Sequence, residues 1–224
     1  MTRKITPLML KKQKRIILYC AALMPIILAS GCANLNHLQN LDFYYINSEK
    51  DFARIGKVGI VELDNMSAYP QISADVTKSL FQAVQKKQVF SLKAIAKNDP
   101  RWKSLQLKSS NDKYNINQLY AIRKTLKCDA ILVGTISDYS PYPHMSIGIR
   151  LKLIDLADGE LLWAVEQIWD TADNNTEYRI KKYFKRKMRL DSAALEEHKL
   201  VNVSPIKFVK FITYEIAETL KFAK

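Results

Sequence analysis

Between Ser146 and Trp169 the chain alternates apolar and polar residues with a period of two. Ile147, Ile149, Leu151 and Leu153 are interleaved with Ser146, Gly148, Arg150 and Lys152. After Asp158-Gly159 the run Leu161–Trp169 carries Trp163, Val165 and Trp169 on alternating positions. A period of two puts one set of side chains on one face of a strand. Asp-Gly is a hairpin turn pair, because glycine takes positive φ without steric cost. The segment is expected to be an antiparallel hairpin with one face against a core, so the rest of the chain must supply that core.

Upstream, strands and helices alternate. Val58-Gly59-Ile60-Val61-Glu62-Leu63 is a short apolar run ending in Asp64-Asn65 and reads as a buried strand beginning at Lys57. Ser73 is expected to cap a helix in which Val76, Leu80, Phe81 and Val84 recur at helical spacing to about Gln88. Val89–Ile95 reads as a second strand, and Asn98-Asp99-Pro100 opens a polar stretch, 98–115, expected to be a loop. Asn115 or Asn117 starts a helix with Leu119, Ile122 and Leu126 on one face. Ala130–Ile136 is apolar on both faces, the mark of a central strand. Residues 174–197 form a charged helical stretch. Ser204-Pro205 opens an amphipathic helix through Ile206, Val209, Thr213, Ile216 and Leu220. The expected fold is α/β: a mixed β-sheet flanked by helices, with a late β-hairpin and an amphipathic C-terminal helix, in one domain over residues 57–224. No internal repeat is present.

The chain has 224 residues and a formal net charge of +13. Six of the basic residues lie in positions 1–31, which hold no acid, so the remainder carries +7. That modest excess does not call for nucleic acid. The first fifteen residues are basic, and Ile16–Leu28 is apolar. Thirteen helical residues span about 20 Å, short of the ~20 residues of a bilayer crossing. The pattern reads as an export signal over residues 1–31; the other reading is a short membrane anchor or buried helix. Leu28-Ala29-Ser30-Gly31-Cys32 resembles the lipobox of bacterial lipoproteins, with Ala29 where that family most often has Leu. The resemblance implies cleavage between Gly31 and Cys32, a thioether from Cys32 to diacylglycerol and acylation of the new amine. Ala33 follows the cysteine in place of the Asp that retains such proteins in the inner membrane. The implied address is the outer membrane, on its periplasmic face, with the membrane as partner through the N-terminal lipid. A periplasmic address excludes nucleic acid as a partner.

Residues 32–56 are expected to be a lipidated N-terminus and tether. Leu41, Phe43, Tyr44 and Tyr45 leave open a second arrangement, in which this segment docks on the domain. With Cys20 in the signal and Cys32 lipidated, only Cys128 remains, so no intramolecular disulfide forms in the mature chain. Cys128 lies between a helical pattern and an apolar run and is expected to be a small buried hydrophobe.

A second resemblance covers residues 57–170. The strand ending in Asp64-Asn65, the segment Cys128-Asp129-Ala130-Ile131-Leu132-Val133-Gly134-Thr135-Ile136 and the hairpin Leu153–Ala164, with its Asp155, Gly159 and Trp163, are similar to the periplasmic lipoprotein domains of the CsgG and LpoB type. The likeness implies a domain that works by binding within an envelope assembly. The membrane-spanning hairpins of CsgG have no counterpart here, so a pore is not expected.

Chemistry-bearing motifs are scarce. His37, His144 and His198 stand apart from one another and from any cysteine, and no His-Glu-x-x-His run occurs. No nucleophile elbow and no glycine-rich phosphate loop is present. Asp155-x-x-Asp158-Gly159 reads as a hairpin corner rather than a carboxylate pair or calcium turn. No catalytic residue, metal site or cofactor is expected. Arg179, Lys181, Lys182, Lys185, Arg186, Lys187 and Arg189 concentrate positive charge, interleaved with Tyr178, Tyr183 and Phe184. Two readings stand: a solvated face, or a surface for anionic lipid, an acidic protein or a polymer. In Tyr139-Ser140-Pro141-Tyr142-Pro143-His144 two prolines stiffen a segment that offers Tyr139 and Tyr142. It reads either as a plain connection or as a partner-binding surface. The expected role is a non-enzymatic, lipid-anchored binding or assembly-support protein of the cell envelope. A subunit of a secretion complex and a cell-wall enzyme are the alternatives.

Overall fold

The structure is a computed structural model that describes residues 44–107, 113–188 and 204–220. Gly31, Cys32, His37, Arg189, His198 and the side chain of Lys187 lie outside these residues, as do the expected signal, lipobox and the 189–197 end of the charged stretch.

The described strands are β1 (Tyr44–Ile46), β2 (Lys57–Val61), β3 (Asp64–Asn65), β4 (Ser91–Ile95), β5 (Ala130–Ser140), β6 (Ser146–Asp155) and β7 (Leu161–Asp170). The helices are α1 (Ile72–Gln85), α2 (Pro100–Lys103), α3 (Ile116–Leu126), α4 (Asn174–Met188) and α5 (Pro205–Thr219). The strands form one seven-stranded sheet in the order β1-β7-β6-β5-β2-β4, with β3 added beside β5 beyond the end of β2. β2 pairs in parallel with β4 and β5, and β3 with β5; β5, β6, β7 and β1 are antiparallel. The sheet is therefore mixed and flanked by helices, as the pattern of the chain predicts.

The parallel half dictates where the first helices go. β4 lies on one side of β2 and β5 on the other, so two right-handed crossovers must leave their helices on opposite faces. α1 accordingly packs Val76, Leu80 and Val84 with Val58, Ile60 and Leu132 on one face. α3 packs Leu119, Ile122 and Leu126 with Val61, Ile131 and Val133 on the other. Residues 130–133 thus feed two cores alternately, which is why that run is apolar throughout. Over the rest of β6 and β7, beyond Ile154 and Leu161, which join the α3 core, the described helices roof only the first face. Trp163, Val165 and Trp169 point toward α5, which lies beside α1 with Ser79 and Thr213 hydroxyls 2.8 Å apart.

Local chemistry supports several expected ends and corrects others. Asn115 caps α3 in a reciprocal box: its Oδ1 accepts from Gln118 N–H at 2.9 Å, and Gln118 Oε1 accepts from Asn115 N–H at 2.9 Å. Gly159 sits at φ 81, as the hairpin corner requires. Ser73 does not cap α1; it lies inside the first turn and is buried. Its hydroxyl donates to the Leu63 carbonyl, while Leu63 N–H donates to Thr77 Oγ1 at 3.1 Å, so this pair ties α1 to the end of β2. The stretch 98–115 is not all loop. Asp99 caps the four-residue α2 through Arg101 N–H at 2.9 Å, and Trp102, Leu105, Leu107 and Tyr114 pack against the α3 core.

The second arrangement of the upstream segment is the one observed over residues 44–56. β1 pairs antiparallel with β7, Tyr44 opposite Val165 and Ile46 opposite Trp163, and Phe52 and Ile55 join the α1-side core. The folded unit therefore starts before Lys57.

Close approach of β5 and β6 leaves no room at Gly134, where an added Cβ would stand 2.3 Å from the backbone oxygen of Arg150. At Gly148 the nearest atom, at 2.4 Å, is the Ser137 hydroxyl, which can rotate away. Gly134→Ala should cost about 1–3 kcal/mol of overpacking in a denaturant melt, and Gly148→Ala clearly less. Equal losses at the two positions would contradict this register.

Candidate functional site: a basic helix pair and an aromatic rim

α4 is docked by one side and charged on the other. Asp173 starts it, accepting from Thr176 N–H at 2.8 Å and from Thr176 Oγ1 at 2.9 Å, and these bonds hold its carboxyl below the usual range. Thr176, Arg179, Ile180 and Phe184 are buried. Tyr183 is half-buried and packs against α5, its ring centroid 5.7 Å from Phe211, edge-on, and 4.7 Å from Tyr214, tilted.

Arg179 belongs to the interior and not to the basic surface. Its Nη1 lies 3.1 Å from Glu215 Oε2 on α5, and its Nη2 donates to Thr176 Oγ1 at 3.2 Å. The same Glu215 oxygen accepts from the Trp169 indole N–H at 2.8 Å. Burial pushes the Glu215 carboxyl up, opposed by the guanidinium and the indole. Lys181 pairs with Glu177 at 2.6 Å, one helical turn away. Lys182 is half-exposed, and Lys185 and Arg186 are exposed. Arg179 meets Glu215 while Tyr183 meets Phe211, so α4 and α5 run antiparallel, and Lys207 and Lys210 of α5 lie on its solvent side. Sequence reasoning missed these two lysines because their distance from the cluster is tertiary.

The two tyrosines singled out by sequence separate. Tyr139 is 7% exposed and packs edge-on to Tyr69 at 5.3 Å, so it is a core residue and offers no surface. Burial pushes its hydroxyl pKa up. Tyr142 is 77% exposed, and its carbonyl accepts from Ser140 Oγ at 2.7 Å. At the same end of the sheet Met66 is 74% exposed, fixed by its N–H donating to Ile136 O at 2.9 Å. Asn65 braces the following turn, with Nδ2 donating to Tyr69 O at 2.8 Å and Oδ1 accepting from Ser67 N–H at 2.9 Å. The rim of the sheet beyond β3 and β5 thus exposes Met66, Tyr69 and Tyr142 on short connections, with Tyr139 packed on Tyr69. The only sequence signal for Met66 was its place directly after Asp64-Asn65.

Elsewhere, Lys50 sits among Asp155, Asp158 and Glu160 at the hairpin corner. The Asp158 and Glu160 carboxylates push the Lys50 pKa up to about 12. Cys128 is a free, buried thiol whose pKa is raised by burial. Among the described residues no group of three or more His, Cys, Asp or Glu is placed to hold a metal ion, and no helix is long and apolar enough to cross a membrane.

No family model and no curated protein matches the chain. Several solved structures show a partial likeness to the chain. A PelC dodecamer from Paraburkholderia phytofirmans is 13% identical, over 60% of this chain and 85% of that one, with a TM-score of 0.41. The LpoB C-terminal domain from Salmonella enterica is 16% identical, over 51% of this chain and 82% of that one, at 0.38. The lipoprotein GNA1162 from Neisseria meningitidis is 15% identical, over 50% of this chain and 78% of that one, at 0.36.

The buried pair predicts a pH-dependent cost. Arg179→Ala leaves Glu215 without its cation and should destabilise the fold by about 3–5 kcal/mol at neutral pH. Glu215 already has a raised carboxyl pKa, so protonation removes the buried charge as pH falls toward the ordinary Glu value of 4.5. The difference between variant and wild type should therefore shrink on acidification. Chemical denaturation of both chains across that range measures it, and a difference that grows toward low pH would refute the assignment.

Proposed function

We propose that the protein is a lipid-anchored, non-enzymatic binding protein of the bacterial outer membrane, facing the periplasm and engaging an envelope protein through the Met66–Tyr69–Tyr142 rim. The exposure of Tyr142, held between two prolines three residues after Tyr139, which packs on Tyr69 of the braced turn, carries this reading. Rigid exposed aromatic side chains lose little conformational freedom on binding and often dominate interfaces. The lipobox resemblance at Cys32 supports the anchor. Docking of β1 supports a membrane-proximal domain: only eleven residues separate Cys32 from Tyr44. That length reaches at most about 40 Å even fully extended.

Two substitutions test the two parts. Cys32→Ala should leave an unprocessed precursor in whole cells; a variant still cut after Gly31 and recovered with the outer membrane would remove the anchor from the proposal. Tyr142→Ala should keep the wild-type melting temperature while weakening binding of the captured envelope partner at least tenfold, about 1.4 kcal/mol. Unchanged affinity would place the interface elsewhere on the domain.

A further inference from the structure

We propose that the adjoining outer faces of α4 and α5 form a second contact surface, one that lies against an anionic phospholipid bilayer. The two helices together carry eight basic residues and three acids. All three acids are engaged by basic side chains: Glu177 by Lys181, Glu215 by Arg179, and Glu218 by Lys87 of the segment after α1. Two of those basic partners come from α4 itself, so the helix pair keeps a strong positive excess on its solvent side. Lys185, Arg186 and Lys210 are exposed there, on helices held side by side by the Arg179–Glu215 ion pair and the Tyr183–Tyr214 ring contact.

The mode of binding follows from what α4 has already spent. Ile180 and Phe184 are buried in the domain, so the helix has already committed these apolar side chains and cannot sink them into acyl chains. Attraction must come from charge at the headgroup level, which makes it sensitive to salt. A bilayer is favoured over an acidic protein or soluble polymer by two observations. Tyr178 and Ile206, 58% and 63% exposed, flank the charged residues with apolar groups suited to a membrane interface. The upstream chain also enters through β1 on the free edge of β7, whose Trp163 and Trp169 lie beneath α5. A lipid at Cys32 would hold this side near the membrane. The inference shares that membrane address with the reading above, but its test uses no acyl group, so either can fail alone.

The experiment uses the chain from Ala33 onward, which contains every described strand and helix, with vesicles of phosphatidylglycerol or of phosphatidylcholine. Binding to phosphatidylglycerol should be at least tenfold stronger. It should weaken severalfold between about 0.01 M and about 0.15 M salt, as the screening length falls from about 30 to about 8 Å. The triple variant Lys185→Glu, Arg186→Glu and Lys210→Glu should melt as wild type and lose at least tenfold. The same charge change at Lys103, Lys113 and Lys124, away from α4 and α5, should lose far less. Equal binding to both vesicles, or equal loss in the two triple variants, overturns the proposal. So does displacement from vesicles by soluble polyglutamate at equal charge concentration, which would identify an acidic polymer or protein as the occupant.

Discussion

Ala130–Ile136 is apolar on every position but Gly134 and Thr135, and it occupies the middle of the sheet, so both faces must be covered for it to be buried at all. Parallel strands on one side of β5 meet that demand, because their crossovers carry α1 to one face and α3 to the other. On the far side the demand is only half as strong. β6 and β7 keep a polar face, on which Arg150 pairs with Glu166 across the strands, and an apolar face carrying Trp163 and Trp169. A hairpin built in this way needs one roof, and the chain supplies it last, as α5. Burying two indoles of 150–250 Å² each contributes roughly 4–6 kcal/mol apiece as an upper bound.

The indole N–H groups then set what lies beyond the roof. A buried donor left unpaired is costly, and each tryptophan finds an acceptor on α5: Trp163 at Thr219, 3.1 Å, and Trp169 at Glu215, 2.8 Å. Thr219 is neutral and closes its own account by donating to Ile216 O at 2.7 Å. Glu215 is a largely buried carboxylate, its side chain 14% exposed, and is stabilised by a cation. Arg179 provides it, and in turning inward it fixes which face of α4 remains outside. The polarity of the external helix surface is thus a consequence of how a tryptophan two layers down was satisfied.

What could be read in advance tracks how long and how regular each pattern is. The hairpin, α1, α3 and α5 repeat a period several times, and each stands close to its expected place. β1 and α2 have three and four residues, too few for a period to show, and both exist because neighbouring structure gives them partners. Tyr139 was misplaced for a different reason. β5 runs past Ile136 to Ser140 with a register shift between Ile136 and Asp138. The extra residue resets the alternation, so Tyr139, opposite Ile147, points to the same core as Ile136. Without the shift it would have faced the other way. Seven basic residues in eleven were legible as a cluster, but Arg179 could be told from Lys185 only by knowing that Glu215 lies across from it.

The rim and the basic helix pair are mechanically joined. The loop that carries Tyr142 ends at Met145, whose N–H donates to Thr171 Oγ1 at 3.0 Å, while Thr171 N–H donates back to Met145 O at 2.9 Å. Thr171 is also the residue through which β7 passes into the Asp173 cap of α4. One reciprocal pair of hydrogen bonds therefore ties the connection bearing the exposed tyrosine to the start of the charged helix. On the other side of that connection, Tyr139 packs on Tyr69 and holds the turn after Met66. The two surfaces are presented by one braced end of the sheet, so neither can reorient without breaking bonds that position the other. Whatever engages α4 and α5 also determines the direction in which Tyr142 and Met66 face.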